Sequence, residues 1–426
     1  MRILVVGLNF APELTGVGKY SGEMAAWLAR RGHDVAVVTT RPYYPQWSRA
    51  SGLGSWTWQR ELWQGCRLVR CPLYVPRHMS AVRRILHLGS FALSSAPAAA
   101  ARAMRGKVDL VLGVVPTLLS APVALAVARS CGAAAWLHIQ DLEIDAAGGV
   151  GLIKHRGLLG TALALEAMLV KRFDLVSAIS PKMLEAVARK GVAPERLMLF
   201  PNWVDMSLIF PAGDSGKLRA ELGLPADACI VLYSGSMGRK QGLDYVIAAA
   251  RRLSHTAPTP IFVLAGAGPA LAELRDAAQG LANVRFLPLQ PDARFNEFLN
   301  MGDIHLLPQK RDAADLVMPS KLGAMLAAGK PVVATVPAGS QVALTLDGAG
   351  IVVPPEDDSA LAAVIAALAA DAPRRRALGD AALRRARETV EAESILSQAE
   401  ARLTALVEAK RTGRALQPTA KHERRI

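Results

Sequence analysis

Cysteine is scarce in this 426-residue chain, and histidine is not clustered with it. The four cysteines, Cys66, Cys71, Cys131 and Cys229, form no Cys-x-x-Cys pair, and no histidine lies at the spacing of a zinc site. A disulfide-stapled extracellular scaffold and a structural zinc module are therefore both excluded. We expect reduced, buried thiols in a cytoplasmic protein.

Long apolar runs are also missing. The apolar stretch Met1 to Gly7 is followed at once by Asn9, Pro12 and Glu13, too soon for the apolar core and cleavage site of a signal peptide. The best candidate for a membrane span, residues 86–101, contains three serines and a proline and falls short of the roughly 20 apolar residues that a span needs. We therefore expect a protein that is soluble or bound to a surface.

Aromatic residues make up only 5% of the chain, and we find no helix-turn-helix, zinc or RNA-binding signature. The net charge is nevertheless +14, and residues 1–200 carry 24 Lys and Arg against 12 Asp and Glu. Such a surplus predicts an anionic partner, which could be nucleic acid, an acidic bilayer or a phosphorylated substrate. Because the signatures are missing, nucleic acid is the weakest of the three and is not expected as a partner.

The chain does contain a regular alternation of apolar β runs and helical patterns, which predicts parallel sheets covered by helices. The alternation starts again after residues 201–205. We predict an α/β protein with two Rossmann-like, doubly wound domains, residues 1–205 and 206–390, that face each other across a cleft. Residues 391–426 would add a helix and a basic, disordered tail. Ligands of open parallel sheets bind at the carboxyl ends of the strands, which would line that cleft.

A polar, basic turn precedes a predicted helix late in the chain, at Met318-Pro319-Ser320-Lys321. The helix is rich in Ala and Leu, stops at Gly329 and leads into an apolar β run. The first amides of a helix are unpaired and its dipole adds about half a positive charge, so such a turn suits phosphate. The alternative is a Pro-Ser helix start with no ligand.

Glycines and cations also follow a predicted strand in the second half. The segment 235–242, Gly-Ser-Met-Gly-Arg-Lys-Gln-Gly, contains three glycines, Arg239 and Lys240 just before a helix, which would form a good diphosphate cradle. The later turn that begins at Gly266 has a similar pattern and more simply serves chain reversal.

The first βα turn, Gly7 to Tyr20, is too long for the GxGxxG dinucleotide fingerprint, which argues against an NAD enzyme. Gly16 and Gly18 could still let the backbone approach a ligand, although a plain flexible loop is the alternative.

A histidine ends another predicted strand. His138 is followed by Gln140 and Asp141, and then by Glu143 and Asp145. At the carboxyl end of a parallel strand these groups suit hydrogen bonding to hydroxyls. The alternative is a satisfied core histidine with a solvated acidic loop, and metal binding is disfavoured because no second histidine lies nearby.

Taken in order, these segments resemble a retaining glycosyltransferase of the GT-B class, of the family labelled type 4, and within it the bacterial exopolysaccharide enzymes of the colanic-acid type. The resemblance covers roughly residues 1–390. The segments that carry it are 12–18 with 31–35, His138 with 140–141, 201–205, 234–242, 266–269, 283–286 and 319–334.

The resemblance implies a nucleotide-sugar donor held mainly by the second domain, an acceptor held mainly by the first, and neither a metal nor a cofactor. By resemblance, His138 would touch the donor sugar, Arg239 and Lys240 would neutralise the diphosphate, and Ser320 with the amides after it would hold the phosphates. The catalytic residues predicted in this way are His138, Asp141, Arg239 and Lys240. The predicted donor-binding residues are Gly16, Gly18, Gly235, Gly242, Gly266, Ser320, Lys321 and Leu322.

The chain departs from the family pattern at several positions. Two glutamates separated by seven intervening residues are usual in the family, and Leu316 and Ala324 occupy those positions here, which leaves ribose binding unassigned. Gln241 stands where lysine is common, and Ser236 stands near a usual arginine.

Residues 77–91 interleave basic residues with apolar ones, a pattern that suits a helix lying on an anionic bilayer. The basic residues include Arg77, Arg83 and Arg84, and the apolar residues expected on the bilayer face are Ile85, Leu86, Leu88 and Phe91. A core-facing helix with a solvated basic face is the alternative. We therefore predict a cytoplasmic, membrane-peripheral glycosyltransferase that uses a polyprenyl-diphosphate-linked oligosaccharide acceptor in exopolysaccharide biosynthesis. Two rival predictions are a two-Rossmann nucleotide-sugar epimerase and a non-catalytic nucleotide-sugar-binding protein at the membrane.

Overall fold

The computed structural model describes residues 1–13, 16–43, 56–78, 80–115, 118–142, 156–213, 216–311 and 319–416. The chain forms two compact units. Unit 1 comprises Met1–Pro201 and Ser394–Ile426, and unit 2 comprises Asn202–Glu393. The predicted disordered tail lies outside the described residues from position 417 onward.

Unit 1 is built on an eight-stranded sheet with the order β3-β4-β2-β1-β5-β6-β7-β8. Every neighbouring pair is parallel except β3 with β4. The strands are β1 (Arg2–Gly7), β2 (Asp34–Thr40), β3 (Gln59–Trp63), β4 (Cys66–Cys71), β5 (Leu110–Val115), β6 (Ala134–Ile139), β7 (Leu175–Ala178) and β8 (Leu197–Leu199).

Continuous apolar sequence explains the central strands, because β5 and β6 are buried at every position and helices cover parallel sheets on both faces. The edge strand β3 was not predicted, since its sequence is polar at most positions and lies largely exposed. It pairs with β4 through the two-residue turn Gln64-Gly65, whose φ angles of 43° and 81° are those of a tight hairpin. The helices of the first 201 residues are α1 (Gly16–Arg30), α2 (Ala81–Met104), α3 (Ala121–Ser130), α4 (Arg156–Val170) and α5 (Pro181–Arg189).

Unit 2 contains a six-stranded parallel sheet with the order β11-β10-β9-β12-β13-β14, the strand order of a doubly wound fold. Its strands are β9 (Ile230–Ser234), β10 (Ile261–Ala265), β11 (Val284–Leu287), β12 (Ile304–Pro308), β13 (Val332–Thr335) and β14 (Gly350–Val353). Its helices are α6 (Gly216–Glu221), α7 (Leu243–Arg252), α8 (Leu271–Ala277), α9 (Phe295–Met301), α10 (Lys321–Ala327), α11 (Gln341–Leu346), α12 (Asp358–Ala370) and α13 (Ala372–Thr389). The prediction of two doubly wound parallel-sheet units is confirmed.

The last helix, α14 (Ala392–Thr412), begins in unit 2 and continues in unit 1, which contains every residue from Ser394 onward. Charged side chains attach it to the rest of unit 1. These contacts are Glu400 with Arg31 and His33, Lys410 with Asp174, and Arg411 with Asp109.

Helix α2 runs for 24 residues through Pro97, longer than the predicted basic segment. Its apolar residues divide between two faces. Leu88 and Phe91 are buried in the core of unit 1, so their predicted place on a bilayer-facing surface is wrong, whereas Ile85 and Leu86 are more than half exposed. Among the helices within the described ranges, none has both the length and the apolar character that crossing a bilayer requires.

Candidate functional site

The topology of each unit points to one place for a ligand. The strand order reverses between β1 and β5 in unit 1 and between β9 and β12 in unit 2. In open α/β sheets, ligands bind beyond the carboxyl ends of the strands at such a switch point. The loops of interest are therefore those that follow β1 and β6 in unit 1, and β9 and β12 in unit 2.

In unit 2, the loop after β9 packs backbone to backbone against the loop after β10. The amide of Met237 donates to the carbonyl of Ala267 at 2.9 Å. Gly266 has a φ of +154°, and a Cβ there would lie 1.9 Å from the carbonyl oxygen of Gly235. A Cβ at Gly268 would similarly lie 2.5 Å from the oxygen of Met237. The fold thus requires glycine at both positions for loop packing, and a role of Gly266 in donor binding stays a prediction.

The same β9 loop meets the loop that follows β12. The amide of Lys310 donates to the carbonyl of Lys240 at 3.0 Å, which joins the two switch-point loops. Gly242 ends the first loop in the left-handed conformation, with a φ of 66°, immediately before α7. Glycine adopts this conformation without the steric penalty that other residues carry, so Gly242 sets the direction in which α7 begins.

Lys321, the first residue of α10, lies at this switch point. Its Nζ is 4.0 Å from the centre of the Tyr233 ring, and it lies close enough to Gly235 that a Cβ there would be 3.6 Å from Nζ. Burial lowers the pKa of Lys321 to about 7, although part of the side chain reaches solvent. No carboxylate within the described ranges pairs with this ammonium, which rests on the π face of Tyr233 instead. The site therefore holds a partly desolvated cation beside a glycine.

Ser320 and Leu322 flank that lysine. Ser320 is exposed and its hydroxyl forms no capping hydrogen bond to the helix. The amide of Leu322 already donates to the carbonyl of Pro319 at 3.0 Å, and its side chain is buried in the core of unit 2. Of the predicted phosphate-binding group, the Leu322 amide is thus already bonded, whereas the Ser320 hydroxyl and the Lys321 ammonium form no hydrogen bond or ion pair with any described residue. Met318 and Leu316 lie outside the described residues, and Ala324 is in α10.

Arg239 and Lys240 lie in a short 3₁₀ turn between β9 and α7, and both are exposed. The Arg239 guanidinium pairs with Glu273 of α8 at 2.5 Å, and it is 78% exposed. Lys240 forms no ion pair with any residue that the structure describes. The backbone therefore places both cations on the same loop as Gly235, but Arg239 is bound to a carboxylate there.

Glycines also shape the loop after β1 in unit 1. Gly16 has a φ of +60° at the start of α1. A Cβ at Gly18 would lie 2.5 Å from Oε2 of Glu13, so the buried Glu13 side chain fills the space that the glycine leaves. Asn9 Nδ2 donates to the same carboxylate oxygen at 2.9 Å. Gly18 thus accommodates a buried acid, whereas a Cβ at Gly16 would meet no atom within 4 Å. Contact of either glycine with a ligand stays a prediction.

Arg70 fixes the position of this loop and was not predicted as a site residue. It is buried in β4, where its guanidinium donates to the carbonyls of Ala11 at 2.7 Å and Thr40 at 2.9 Å. Glu61 of β3 balances its charge at 2.6 Å. The available sequence signal was an arginine at the end of the apolar run Leu68-Val69, since a buried arginine must be paired.

His138 is buried near the end of β6. Its Nδ1 hydrogen-bonds Ser177 Oγ at 2.9 Å, and its Nε2 lies 2.9 Å from the Gln140 amide nitrogen, which donates to it. Ser177 Oγ also accepts from Trp136 Nε1 at 2.7 Å. Burial lowers the pKa of His138 to about 3, so the ring is neutral at physiological pH. A ligand hydroxyl would reach Nε2 by displacing Gln140.

Asp141 follows Gln140 in the sequence. Burial raises the pKa of its carboxyl, although the positive charge of Arg84 acts in the opposite direction. Glu143 and Asp145 lie outside the described residues. Within the described ranges, no group of three or more His, Cys, Asp or Glu side chains is arranged to hold a metal ion. Metal independence stays a prediction.

Sequence reasoning also missed Glu13, Tyr233 and Lys310. Lys310 Nζ pairs with Asp244 at 2.9 Å, which raises its pKa, and it lies 5.3 Å from the Tyr245 ring centre. A lysine three residues beyond a predicted strand was visible in the sequence, but its contact with Lys240 depends on strand order.

Comparison with known families gives two matches that together cover most of the chain. Residues 15–203 match the model described as glycosyl transferase 4-like domain, and residues 214–385 match glycosyl transferases group 1. These ranges correspond closely to the two sheets.

Among curated proteins, the chain is 46% identical over 377 residues to WcaI of Escherichia coli (strain K12), which carries a provisional assignment as a colanic acid biosynthesis glycosyl transferase. The match covers 86% of this chain and 91% of WcaI. Among solved structures, sucrose-phosphate synthase from Thermosynechococcus elongatus has a TM-score of 0.72 at 21% identity and covers 96% of this chain and 100% of its own. Anabaena HepE in complex with UDP and glucose has a TM-score of 0.67 at 16% identity, with coverages of 94% and 99%.

The structural likeness shows the GT-B fold, and the identity to WcaI shows the family. The chain belongs to the group 1 glycosyltransferases with a type 4-like amino-terminal domain, and it is a WcaI-like glycosyltransferase.

Proposed function

We propose that this glycosyltransferase moves a sugar from a nucleotide-sugar donor to a polyprenyl-diphosphate-linked oligosaccharide in exopolysaccharide biosynthesis, with retention of configuration and without a metal. The observation that carries the proposal is the unneutralised ammonium of Lys321 beside Gly235, where the loops after β9 and β12 meet. The assignment of WcaI to colanic acid biosynthesis and the UDP and glucose bound to HepE support the pathway and the donor class.

Unit 2 would supply the electrostatic part of the reaction. When the bond between the sugar and the phosphate breaks, negative charge develops on the leaving diphosphate. A fixed cation aimed at that charge stabilises the transition state, and more strongly where water is partly excluded. Lys321 meets both conditions, while Lys240 and Arg239 would add charge from the exposed side. Arg239 would exchange Glu273 for phosphate on binding.

Retention would follow from attack on the same face of the sugar that the diphosphate leaves. The acceptor oxygen forms its bond to the anomeric carbon as the bond to the phosphate oxygen breaks, and the acceptor proton passes to the leaving phosphate. The neutral His138 in unit 1 suits a hydrogen bond to a sugar hydroxyl, since its pKa of about 3 makes it a poor base near neutral pH. Asp141, with its raised pKa, would stand beside it.

We further propose that the protein is cytoplasmic and docks on the inner face of the cytoplasmic membrane through α2. The start of this helix exposes Val82, Ile85 and Leu86 by 68%, 62% and 55%, and exposed Arg83 and Arg84 lie between them. Apolar side chains that enter the interface beside arginines that meet anionic headgroups would hold such a helix on a bilayer. Docking there would bring unit 1 to a lipid-linked acceptor.

A thermal-shift panel of UDP-, GDP-, ADP- and CMP-sugars, repeated in excess EDTA, tests the donor assignment. A ligand bound only by the folded protein raises its melting temperature by mass action. We expect one nucleotide class to raise the melting temperature of the wild type with and without EDTA, and to raise that of Lys321→Ala much less. If none of the four classes shifts the melting temperature, the donor proposal is wrong.

Incubating the shifting donor with and without a lipid-linked acceptor separates transfer from epimerisation. Transfer requires the acceptor and gives a glycosylated lipid, and NMR of the new linkage reports its configuration. A product formed from the donor alone would favour the epimerase. His138→Ala should lower turnover, and its melting curve must show that the variant folds, because the substitution also removes a buried side chain and two hydrogen bonds.

Flotation with vesicles tests docking. The wild type should float with vesicles that contain anionic phosphatidylglycerol at physiological salt, and Ile85→Asp with Leu86→Asp should not. Leu344→Asp is a matched control, because Leu344 is 54% exposed on unit 2. Equal flotation of all three proteins, or of none, would exclude docking through α2.

A further inference from the structure

Besides the basic start of α2, unit 1 has a second basic region, which lies away from the carboxyl ends of the strands. It is a groove of about 630 Å³ at the amino edge of the sheet. Arg2 and Asp34 are the first residues of β1 and β2, and Arg67 is the second residue of β4. His138 and the loop after β1 lie at the opposite edge of the same sheet. The groove is therefore distinct from the proposed transfer site.

The charges of the groove are strongly unequal. Five arginines line it with two carboxylates, and both carboxylates already have partners. Asp34 pairs with Arg67 and Arg102, and Glu61 pairs with Arg70. The remaining arginines, Arg2, Arg60 and Arg105, form no ion pair with any side chain in the part of the chain that the structure describes. The groove thus has an excess of positive charge that the described residues do not neutralise.

Arg102 is the most buried of the arginines whose environment this excess of positive charge makes unfavourable. Its side chain is only 17% exposed, and its Nε is buried without a hydrogen-bond partner among the described residues. Burial, Arg67 and Arg2 all lower the pKa of this guanidinium. A buried donor without an acceptor is costly, and so are like charges held together. An anion in the groove would relieve both costs.

The shape and lining indicate the kind of anion. Apolar residues of β2 and β4, among them Ala36, Val38 and Val69, line the groove, and Leu62 of β3 adds a side chain that is 76% exposed. Its volume falls within the range of small-molecule sites. All five cations are arginines, whose planar guanidinium can bind two oxygens of one phosphate. An apolar lining with guanidinium groups around it suits a phosphate group attached to an apolar organic group.

We propose that this groove is a second ligand site, which binds a phosphate or diphosphate group carried on an apolar moiety. The same chemistry occurs in a soluble phosphate ester and in the headgroup region of a lipid. Arg60 and Arg105 are exposed and form no ion pair with any described residue, so they provide the charge that can be removed with least disturbance to the fold. Arg102 provides the buried contact.

Isothermal titration with inorganic pyrophosphate and with geranyl diphosphate tests the proposal. Both titrations are run at 0.15 M salt with saturating UDP, so that a nucleotide site in unit 2 is occupied. We expect geranyl diphosphate to bind the wild type, and the double variant Arg60→Gln with Arg105→Gln to bind it at least tenfold more weakly. Tighter binding of geranyl diphosphate than of pyrophosphate would support an apolar moiety on the ligand, and equal binding would overturn that part of the proposal.

Two further variants keep the test decisive. Arg189→Gln, an exposed arginine in the last turn of α5, should bind as the wild type does. Arg102→Gln should also weaken binding, and its melting curve reports whether it folds. If the wild type binds neither probe, or the double variant binds both unchanged, the site does not exist. Donor binding and turnover by the double variant should match the wild type, so failure here leaves the proposed function untouched.

Discussion

The carboxyl edges of the two sheets hold polar side chains in different states. In unit 1 these groups satisfy one another, since His138 is bonded to Ser177 and Gln140, and Asn9 donates to Glu13. In unit 2, Lys321 rests on an aromatic ring with no carboxylate beside it in the described part of the chain. Under the proposed function, unit 2 would meet its anion with a cation that already lacks a carboxylate partner among the described residues, whereas unit 1 would have to exchange an internal hydrogen bond for one to a ligand.

Removing the cation of unit 2 should have the largest effect. We expect Lys321→Ala to lower kcat/KM for the donor by about a hundredfold or more, because loss of one preorganised charge at a developing anion has an effect of that size. Steady-state kinetics checks this. Lys217→Ala removes an exposed lysine from α6 and should be neutral. If Lys321→Ala had the kinetics of the wild type, Lys321 would not be the cation that distinguishes unit 2 from unit 1.

The second largest effect is expected on stability, where alanine substitutions of Gly266 in unit 2 and Gly16 in unit 1 should differ. Gly266→Ala places a Cβ against the Gly235 carbonyl at an unfavourable φ, and we expect it to lower the free energy of unfolding by about 3 kcal/mol. In Gly16→Ala the new Cβ meets no atom within 4 Å, and only the φ of +60° is unfavourable. We expect this variant to lose about 1 kcal/mol of the free energy of unfolding. Urea unfolding of both variants measures the difference. Equal losses would mean that loop packing in unit 2 is looser than the structure indicates.

Donor affinity and stability should both depend on pH through Lys321. With a pKa of about 7, Lys321 is protonated below that pH and neutral above it, so donor affinity should fall about tenfold from pH 6 to pH 8. Stability should move the opposite way, because above pH 7 the unfolded lysine still binds a proton that the folded one has lost. Titrations of donor binding and melting temperature against pH measure both trends.

Lys321→Arg is the control for that prediction, since arginine stays charged over this range. Its donor affinity should not fall between pH 6 and pH 8. The same fall in wild type and variant would assign the titration to another group.

The smallest effect is expected at the exposed pair of unit 2. Glu273→Gln frees the Arg239 guanidinium and should raise donor affinity about twofold, with little change in stability because surface pairs contribute little. Asp276→Asn removes the same charge from the same helix and serves as the matched control. If both variants change affinity equally, the effect is one of net charge and not of Arg239.

The sequence predicted the framework well and the side-chain partners poorly. Continuous apolar runs located the strands to within a residue or two, apart from the polar edge strand β3, and glycines and cations before helices identified the loops of unit 2. Partners could not be predicted because they are distant in sequence. Ser177 is 39 residues from His138, and Glu273 is 34 residues from Arg239. Glu13 lies only five residues from Gly18, but their contact depends on how the loop closes.

The path of α14 has a consequence for biosynthesis. Unit 1 is complete only when residues from Ser394 onward emerge from the ribosome, after the 192 residues of unit 2, Asn202–Glu393, have been made. At roughly 5 to 20 residues per second, that delay is about 10 to 40 seconds. During this interval Asp109, Asp174 and His33 lack the charged partners that the last helix brings. The amino-terminal half of the nascent chain therefore remains unfinished while unit 2, whose residues are contiguous, is synthesised in full.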